Sequence, residues 1–445
     1  MGAGSFGGKN PLEDFRADDQ FRDFLLTLRA ESEASGRPMD LVINGDFIEF
    51  LQVPAVPAAQ YDPSRIYPEE AFRSTRESDC VLRTDLVIAG HPAVFEALAA
   101  FLSENPRRTV TIVKGNHDLP LHWPGVQERI RQAVGATGPR APLLTFSARF
   151  FYQDGVYVEH GNQYGDPLNF LEGFEDPEDP QRPGHLRVPI GSRFVVEFYN
   201  HIEYEKWWVD AVKPISALIA YGLALETGFA LKALGILLTA LPGMLFQPYV
   251  ARGPQATSLE MLRRGEAEEV LRSWEKDPAF QRVLNRSLDG VLRDLSPFPA
   301  APTGKRAILR EAWLRLQMLL RPQAAFLERG RDISRRFSDG LAQEARHIMQ
   351  EQGFPVIVFG HTHDARWDEF PEGTYLNSGT WTWWRDFSKV DRETWKRLFE
   401  HPEEFYTPHP LTYVRVDYRS DGSPDPQLCD WNAVQAAGPR YGLHD

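Results

Sequence analysis

Cysteine is nearly absent, with 2 in 445 residues, Cys80 and Cys429, far apart and outside any Cys-x-x-Cys spacing. That excludes a disulfide framework and a zinc ribbon, and it fits a reducing, cytoplasmic setting. A basic surplus is also missing: 62 Asp and Glu outnumber 49 Lys and Arg and leave a formal net charge of −13. No surface for bulk nucleic-acid binding is expected, although a local field can still steer a small anion. Met1 to Asn10 is Gly-rich and lacks the apolar core of a secretory signal. Long hydrophobic runs are scarce as well. A spanning helix needs about 20 predominantly apolar residues, and the most apolar stretch, Ile215 to Phe246, is interrupted by Glu226, Lys232, Gly235, Pro242 and Gly243.

What is present has the composition of a globular protein, 42% hydrophobic and 25% charged, in a chain longer than one ordinary domain. Four short strings stand out: Gly45-Asp46-Phe47-Ile48-Glu49, Gly115-Asn116-His117-Asp118, His160-Gly161 and Gly360-His361-Thr362-His363. Three follow apolar, β-branched runs that read as strands: Leu41 to Ile43, Val110 to Val113, and Val356 to Phe359. A glycine beside each lets the chain turn sharply where the strand stops, so Asp, Asn and His side chains converge at strand ends. Such convergence points to a metal site. In His361-Thr362-His363, an extended chain would turn both imidazoles to one side.

In this order the strings resemble the calcineurin-like metallophosphoesterases, whose pattern runs Asp-x-His, Gly-Asp, Gly-Asn-His-Asp, a lone His, and Gly-His-x-His. The resemblance covers residues 1 to 165 and 350 to 390. It implies two divalent metal ions (Mn, Fe, Zn or Ni). Asp46 would bridge them, Asn116, His160 and His361 would complete one, and His363 would bind the other. It further implies that His117 contacts the scissile phosphate as acid or charge stabiliser, with Asp118 orienting its ring, while metal-bound hydroxide attacks phosphorus. Glu49 is expected only to support its loop.

The family's first element, Asp-x-His, has no counterpart before Asp46. Met1-Gly2 fits the residues that follow it in the family, so the in-frame codons before Met1 are expected to encode the motif. The alternative is that Asp14, Asp18 or Asp19 substitutes as a ligand. Without that motif, one of the two metals is expected to be held weakly or lost.

Along the chain, residues 17 to 30 read as a helix, 51 to 80 as a Pro-rich extended loop, and His91 to Asn105 as a second helix. Phe146 to Tyr152 and Val156 to Glu159 read as a hairpin around Asp154-Gly155. The expected organisation is a first core part over 1–165, a mostly helical cap over 166–350, and a second core part with a tail over 351–445. Helical stretches are expected at Leu259 to Trp274, Ile308 to Leu320 and Arg331 to Gln352. For Ile215 to Phe246 three readings stand: a buried hairpin, an interfacial anchor making peripheral membrane contact, and a transmembrane pass. The cap's placement is similar to the lid of the lipid A pathway UDP-diacylglucosamine pyrophosphohydrolases of the superfamily.

The expected fold is α/β, two mixed sheets packed as a sandwich with flanking helices plus a helical insertion. The expected activity is hydrolysis of a phosphoester or pyrophosphate bond in a phosphorylated small molecule or lipid. The alternative is a catalytically weak or silent one-metal binding protein that keeps the fold. Arg385 and His122 are candidate substrate contacts, Trp381, Trp383 and Trp384 candidate pocket walls, and His185 and Arg193 lesser pocket candidates. Asn377 and Gly379 are expected to shape the backbone.

Overall fold

The computed structural model describes residues 1–4, 10–166, 168–213, 229, 324–387, 390–406 and 410–437. Two compact units divide the chain, one of Met1–Ala211, Asp332–Arg385 and Tyr406–Asp445, the other of Val212–Arg331 and Asp386–Phe405. Residues 166–211 thus fold with the first unit. The apolar stretch 215–246, apart from Phe229, and the stretches 259–274 and 308–320 lie outside the described residues.

The first unit is mixed α/β. Its first sheet is centred on β3 (Arg107–Val113), flanked by β1 (Met39–Asn44), β2 (Ser103–Glu104) and β4 (Leu144–Ser147). β1 and β4 run parallel to β3, with Val113 opposite both Asn44 and Ser147. The second sheet has the order β5 (Phe150–Gln153), β6 (Val156–Glu159), β7 (Val356–Phe359), β9 (Gly373–Asn377), β8 (Arg366–Phe370). β6, β7 and β9 are parallel, while β5 and β8 close the edges antiparallel. All four residues of β6 and of β7 are buried, as their continuous apolar runs require of central parallel strands. A separate hairpin joins β10 (Thr412–Tyr418) to β11 (Pro424–Asp430).

Asp154 (φ 45°) and Gly155 (φ 84°) both adopt the left-handed conformation that a two-residue hairpin turn needs. Phe146 to Tyr152, however, is not one strand: β4 joins the first sheet and β5 the second. The helix expected over His91–Asn105 spans only Pro92–Phe101. Its end is fixed by Arg108, whose Nε donates to the Phe101 carbonyl at 2.6 Å as the chain turns into β2. Within the expected 51–80 loop, the helix Glu77–Gly90 already begins.

The long helix Ala324–Gln352 returns the chain to β7. Leu341, Ala342, Ala345, Ile348 and Met349 form one helical stripe and pack on Tyr157, Ile357, Phe359 and Tyr375 of the second sheet. Val42 of β1 packs with Val156, Val158, Val356, Val358 and Leu376. In the second unit, Asp391 caps the helix Arg392–Glu400, its Oδ1 accepting from Thr394 N at 2.8 Å, and Phe387 packs on Trp395.

Among the described residues no single helix is long and apolar enough to cross a membrane. The pair Glu77–Gly90 and Pro92–Phe101 meets that test only when joined, and it bends by 87°.

At the junction of those two helices His91, 2% exposed, places Nδ1 2.7 Å from Asp18 Oδ1 and Nε2 3.2 Å from Glu13 Oε2. Burial opposes its charge, but the two carboxylates overcome this and push its pKa up to about 9. A folded pKa above the unfolded one stabilises the fold fully below about pH 6.5, and the contribution fades as pH rises through 9. The shift corresponds to something on the order of 3 kcal/mol. Thermal melts are therefore expected to show Tm falling between about pH 7 and 9.5, and His91→Gln to flatten that slope. A wild-type Tm constant over this range would refute the assignment.

Candidate metal centre

The carboxyl ends of β1, β3, β6 and β7 deliver the four strings to one region. After Asn44, Gly45 (φ 78°) and Asp46 (φ 49°) reverse the chain in left-handed conformations. A Cβ on Gly45 would overlap the His160 ring, and one on Gly115 would overlap the Asp46 carboxylate. Both glycines are required by close approach. The loops are tied by Asp118, fully buried, whose Oδ1 accepts from Gly115 N at 2.5 Å and Oδ2 from Phe47 N at 2.8 Å. Burial and the charge of Asp46 push the Asp118 pKa up to about 7. Met1 lies against the same loop, its ammonium donating to the Phe47 carbonyl at 3.0 Å.

Asp46 Oδ2 lies 3.0 Å from His160 Nε2, which is 3.2 Å from Asn116 Oδ1. His160 and Asn116 are 3% and 1% exposed. Because His160 Nδ1 lies 3.0 Å from the Asn44 carbonyl oxygen, which only accepts, Nδ1 carries a proton. The neutral ring then offers Nε2 as a lone pair, and three acceptors face one another. Only a cation or a second ring proton resolves that repulsion. Ligands about 2.1 Å from one ion lie roughly 3 Å apart when adjacent in octahedral geometry, so this donor set fits a divalent metal. The set holds one charged carboxylate, one imidazole and one neutral amide. Among the described residues no three His, Cys, Asp or Glu side chains are spaced to hold one ion. Burial raises the Asp46 pKa, but the charges of His160 and His117 more than offset it and hold the carboxyl far below its usual range. Burial likewise opposes charge on His160, and Asp46 prevails, raising its pKa.

His117 donates its backbone N–H to Asp46 Oδ1 at 2.9 Å. Its ring is oriented by Glu49, through Nδ1 and Oε2, rather than by Asp118, whose two oxygens serve the Gly115 and Phe47 amides. Glu49 therefore does more than support its loop. Burial disfavours the charged ring, but Glu49 and Asp46 push its pKa up to about 10. The residue is an imidazolium at neutral pH.

His361 comes beside His160, ring centroids 5.3 Å apart, with Nε2 3.0 Å from Asp166 Oδ2. Burial, the leading influence, lowers its pKa despite Asp166. Asn169 bridges this pair to the other strings: Nδ2 donates to Asp166 Oδ2 at 2.8 Å, and Oδ1 accepts from Asn116 Nδ2 at 3.3 Å. His361 (φ 66°) and His363 (φ 64°) are both left-handed. The extended alternation expected of them is thus not what forms. β7 stops at Phe359, and Asn377 Nδ2 holds the turn by donating to the Gly360 carbonyl at 2.7 Å and to Thr362 Oγ1 at 3.1 Å. Strained backbone of this kind is enriched at functional sites.

Other candidates lie outside the convergent set. His122 Nε2 is 3.7 Å from Asp176 Oδ1, and its ring sits edge-on to Trp123. Arg385 donates its backbone N–H to the Ala211 carbonyl at 2.8 Å. Trp381 packs on Phe21 and Phe24 as part of the core, and its Nε1 donates to the Thr412 carbonyl at 2.8 Å. Trp383 is buried against Trp207 and Tyr406. His185 Nε2 accepts from Arg76 Nε at 3.0 Å, and Arg193 pairs with Glu197 at 2.9 Å. Sequence reasoning missed Asp166, Asn169 and the orienting role of Glu49. A carboxylate three residues after Asp46 was the only local signal. The chain matches no protein-family model, no curated protein and no solved structure.

Proposed function

We propose that this chain is a metal-dependent hydrolase of a phosphoester or pyrophosphate bond, with the two-sheet sandwich of the calcineurin-like metallophosphoesterases. The observation that carries the proposal is geometric: Asp46 Oδ2 and Asn116 Oδ1 lie 3.0 and 3.2 Å from His160 Nε2, and His117, its ring held by Glu49, donates its backbone N–H to the same Asp46. The packing of Val42 of β1 with the valines of β6 and β7 supports the sandwich.

Asp46, Asn116 and His160 would hold an ion, with His361, its ring centroid 5.3 Å from that of His160, a further imidazole at hand and His363 two residues beyond it. Imidazole with carboxylate suits Mn, Fe, Zn or Ni. When bound, a divalent ion supplies Lewis acidity and activates water. The chain's own groups do the rest. Asp46 brings the negative charge, and Asn116 adds an oxygen without overneutralising the cation. His117 offers a proton to the phosphoryl or leaving oxygen while Glu49 fixes its ring, and Asp118 locks the two loops together.

A second reading, a one-metal binding protein with little turnover, is favoured by the same donor set, which accounts for one ion. Metal analysis of the purified chain, combined with hydrolysis of an aryl phosphate, separates the two. Bound metal with hydrolysis that a chelator abolishes and added Mn²⁺ restores is the expected result. One ion without turnover supports the second reading, and hydrolysis indifferent to chelation sinks both.

A further inference from the structure

A second group of acids lies in the first unit. Of the three aspartates weighed as substitute ligands, Asp18 binds His91 and Asp19 binds Arg22, whereas Asp14 is hydrogen-bonded to Asp210. Two carboxyl groups can share such a bond only with a proton between them, so the pair carries a single charge. Glu203 is 0% exposed, its Oε2 accepts from Gln52 Nε2 at 2.5 Å, and its Oε1 has no hydrogen-bond partner. One helical turn earlier, buried Asn200 donates Nδ2 to the Leu51 carbonyl at 2.8 Å and leaves Oδ1 unpartnered. Asp210 Oδ1 is unpartnered too. As whole residues Asp14 and Asp210 keep some exposure, while Asp210 Oδ1 itself is buried. Glu49, which orients His117, accepts from Leu51 N at 3.1 Å in the same loop that binds Asn200 and Glu203.

Buried acceptors without donors are costly unless a ligand completes them. We propose that Asp14, Asn200, Glu203 and Asp210 form a subsite for a primary ammonium group carried by the phosphorylated substrate. An ammonium brings three N–H donors and one positive charge. The donors match the free oxygens of Asn200, Asp210 and the Glu203 carboxyl. Burial and the charges of Asp210 and Asp14 push Glu203 toward its neutral form, so the single positive charge matches the one negative charge of the proton-sharing pair. A divalent ion would require that proton to leave. The subsite rests on the hydrolase reading only for the phosphate half of the substrate.

The test on the full chain is saturation-transfer NMR with n-propylammonium as probe and n-propanol as its neutral twin. Saturable binding of the ammonium alone is expected, weakened by about tenfold in Glu203→Gln and in half-buried Asp210→Asn, with circular dichroism confirming both folds. Asp46→Asn should bind the ammonium as wild type does. In turnover, O-phosphoethanolamine should exceed ethyl phosphate in kcat/KM by about tenfold, a ratio that falls toward one in Asp210→Asn. Absence of saturable ammonium binding overturns the proposal, as does wild-type affinity in both variants or displacement of the probe by Mg²⁺ or Mn²⁺ in Asp46→Asn. Ammonium binding without hydrolysis of any phosphoester keeps the subsite and fails the hydrolase reading instead.

Discussion

Asp46→Asn is expected to lower kcat/KM for an aryl phosphate by about 10³-fold, roughly 4 kcal/mol of transition-state stabilisation, and to deplete bound divalent metal. The carboxylate holds two contacts at once, His160 Nε2 at 3.0 Å through Oδ2 and the His117 amide at 2.9 Å through Oδ1. An Asn side chain keeps the shape but removes the charge that a cation needs. Its NH₂ would also have to face either the His117 N–H or a cation already facing His160. Metal content by mass spectrometry and kcat/KM should fall together while circular dichroism stays unchanged. Wild-type metal content with wild-type turnover would remove Asp46 from the reaction centre.

His117→Ala should behave differently. Turnover is expected to drop by about 10²- to 10⁴-fold, the usual worth of a general acid, with metal content nearly intact. The backbone N–H that positions Asp46 survives the substitution, because it does not depend on the side chain. What is lost is the ring that Glu49 and Asp46 keep protonated. Glu49→Gln should produce a smaller loss, about 10- to 100-fold, since the ring remains and only its carboxylate partner is weakened. Loss of metal in His117→Ala would instead mark the imidazole as a ligand. Equal losses in the two variants would make Glu49 a direct participant.

The strands behind the four strings were legible because their apolar runs are short, β-branched and stopped by glycine. β1, β3, β6 and β7 lie where those runs lie. Less legible was what each run pairs with. Leu144 to Ser147 and Phe150 to Gln153 are close neighbours in sequence but belong to different sheets. Periodicity reports which side of a strand is apolar, not which strand will lie beside it. The backbone at His361 and His363 was equally hidden. Left-handed φ at a histidine is set by the Asn377 cap and the end of β7, contacts that local sequence does not encode.

By itself, the sequence determined the residue types at four strand ends and the glycines that let them approach, because steric permission and donor chemistry are properties of single residues. Only the tertiary structure decided which carboxylate serves which imidazole. Glu49 rather than Asp118 holds His117, Asp166 holds His361, and Asp14 meets Asp210 across nearly 200 residues of chain. Partnership between buried charges depends on distance in space, and a hydrogen bond has no memory of separation along the chain.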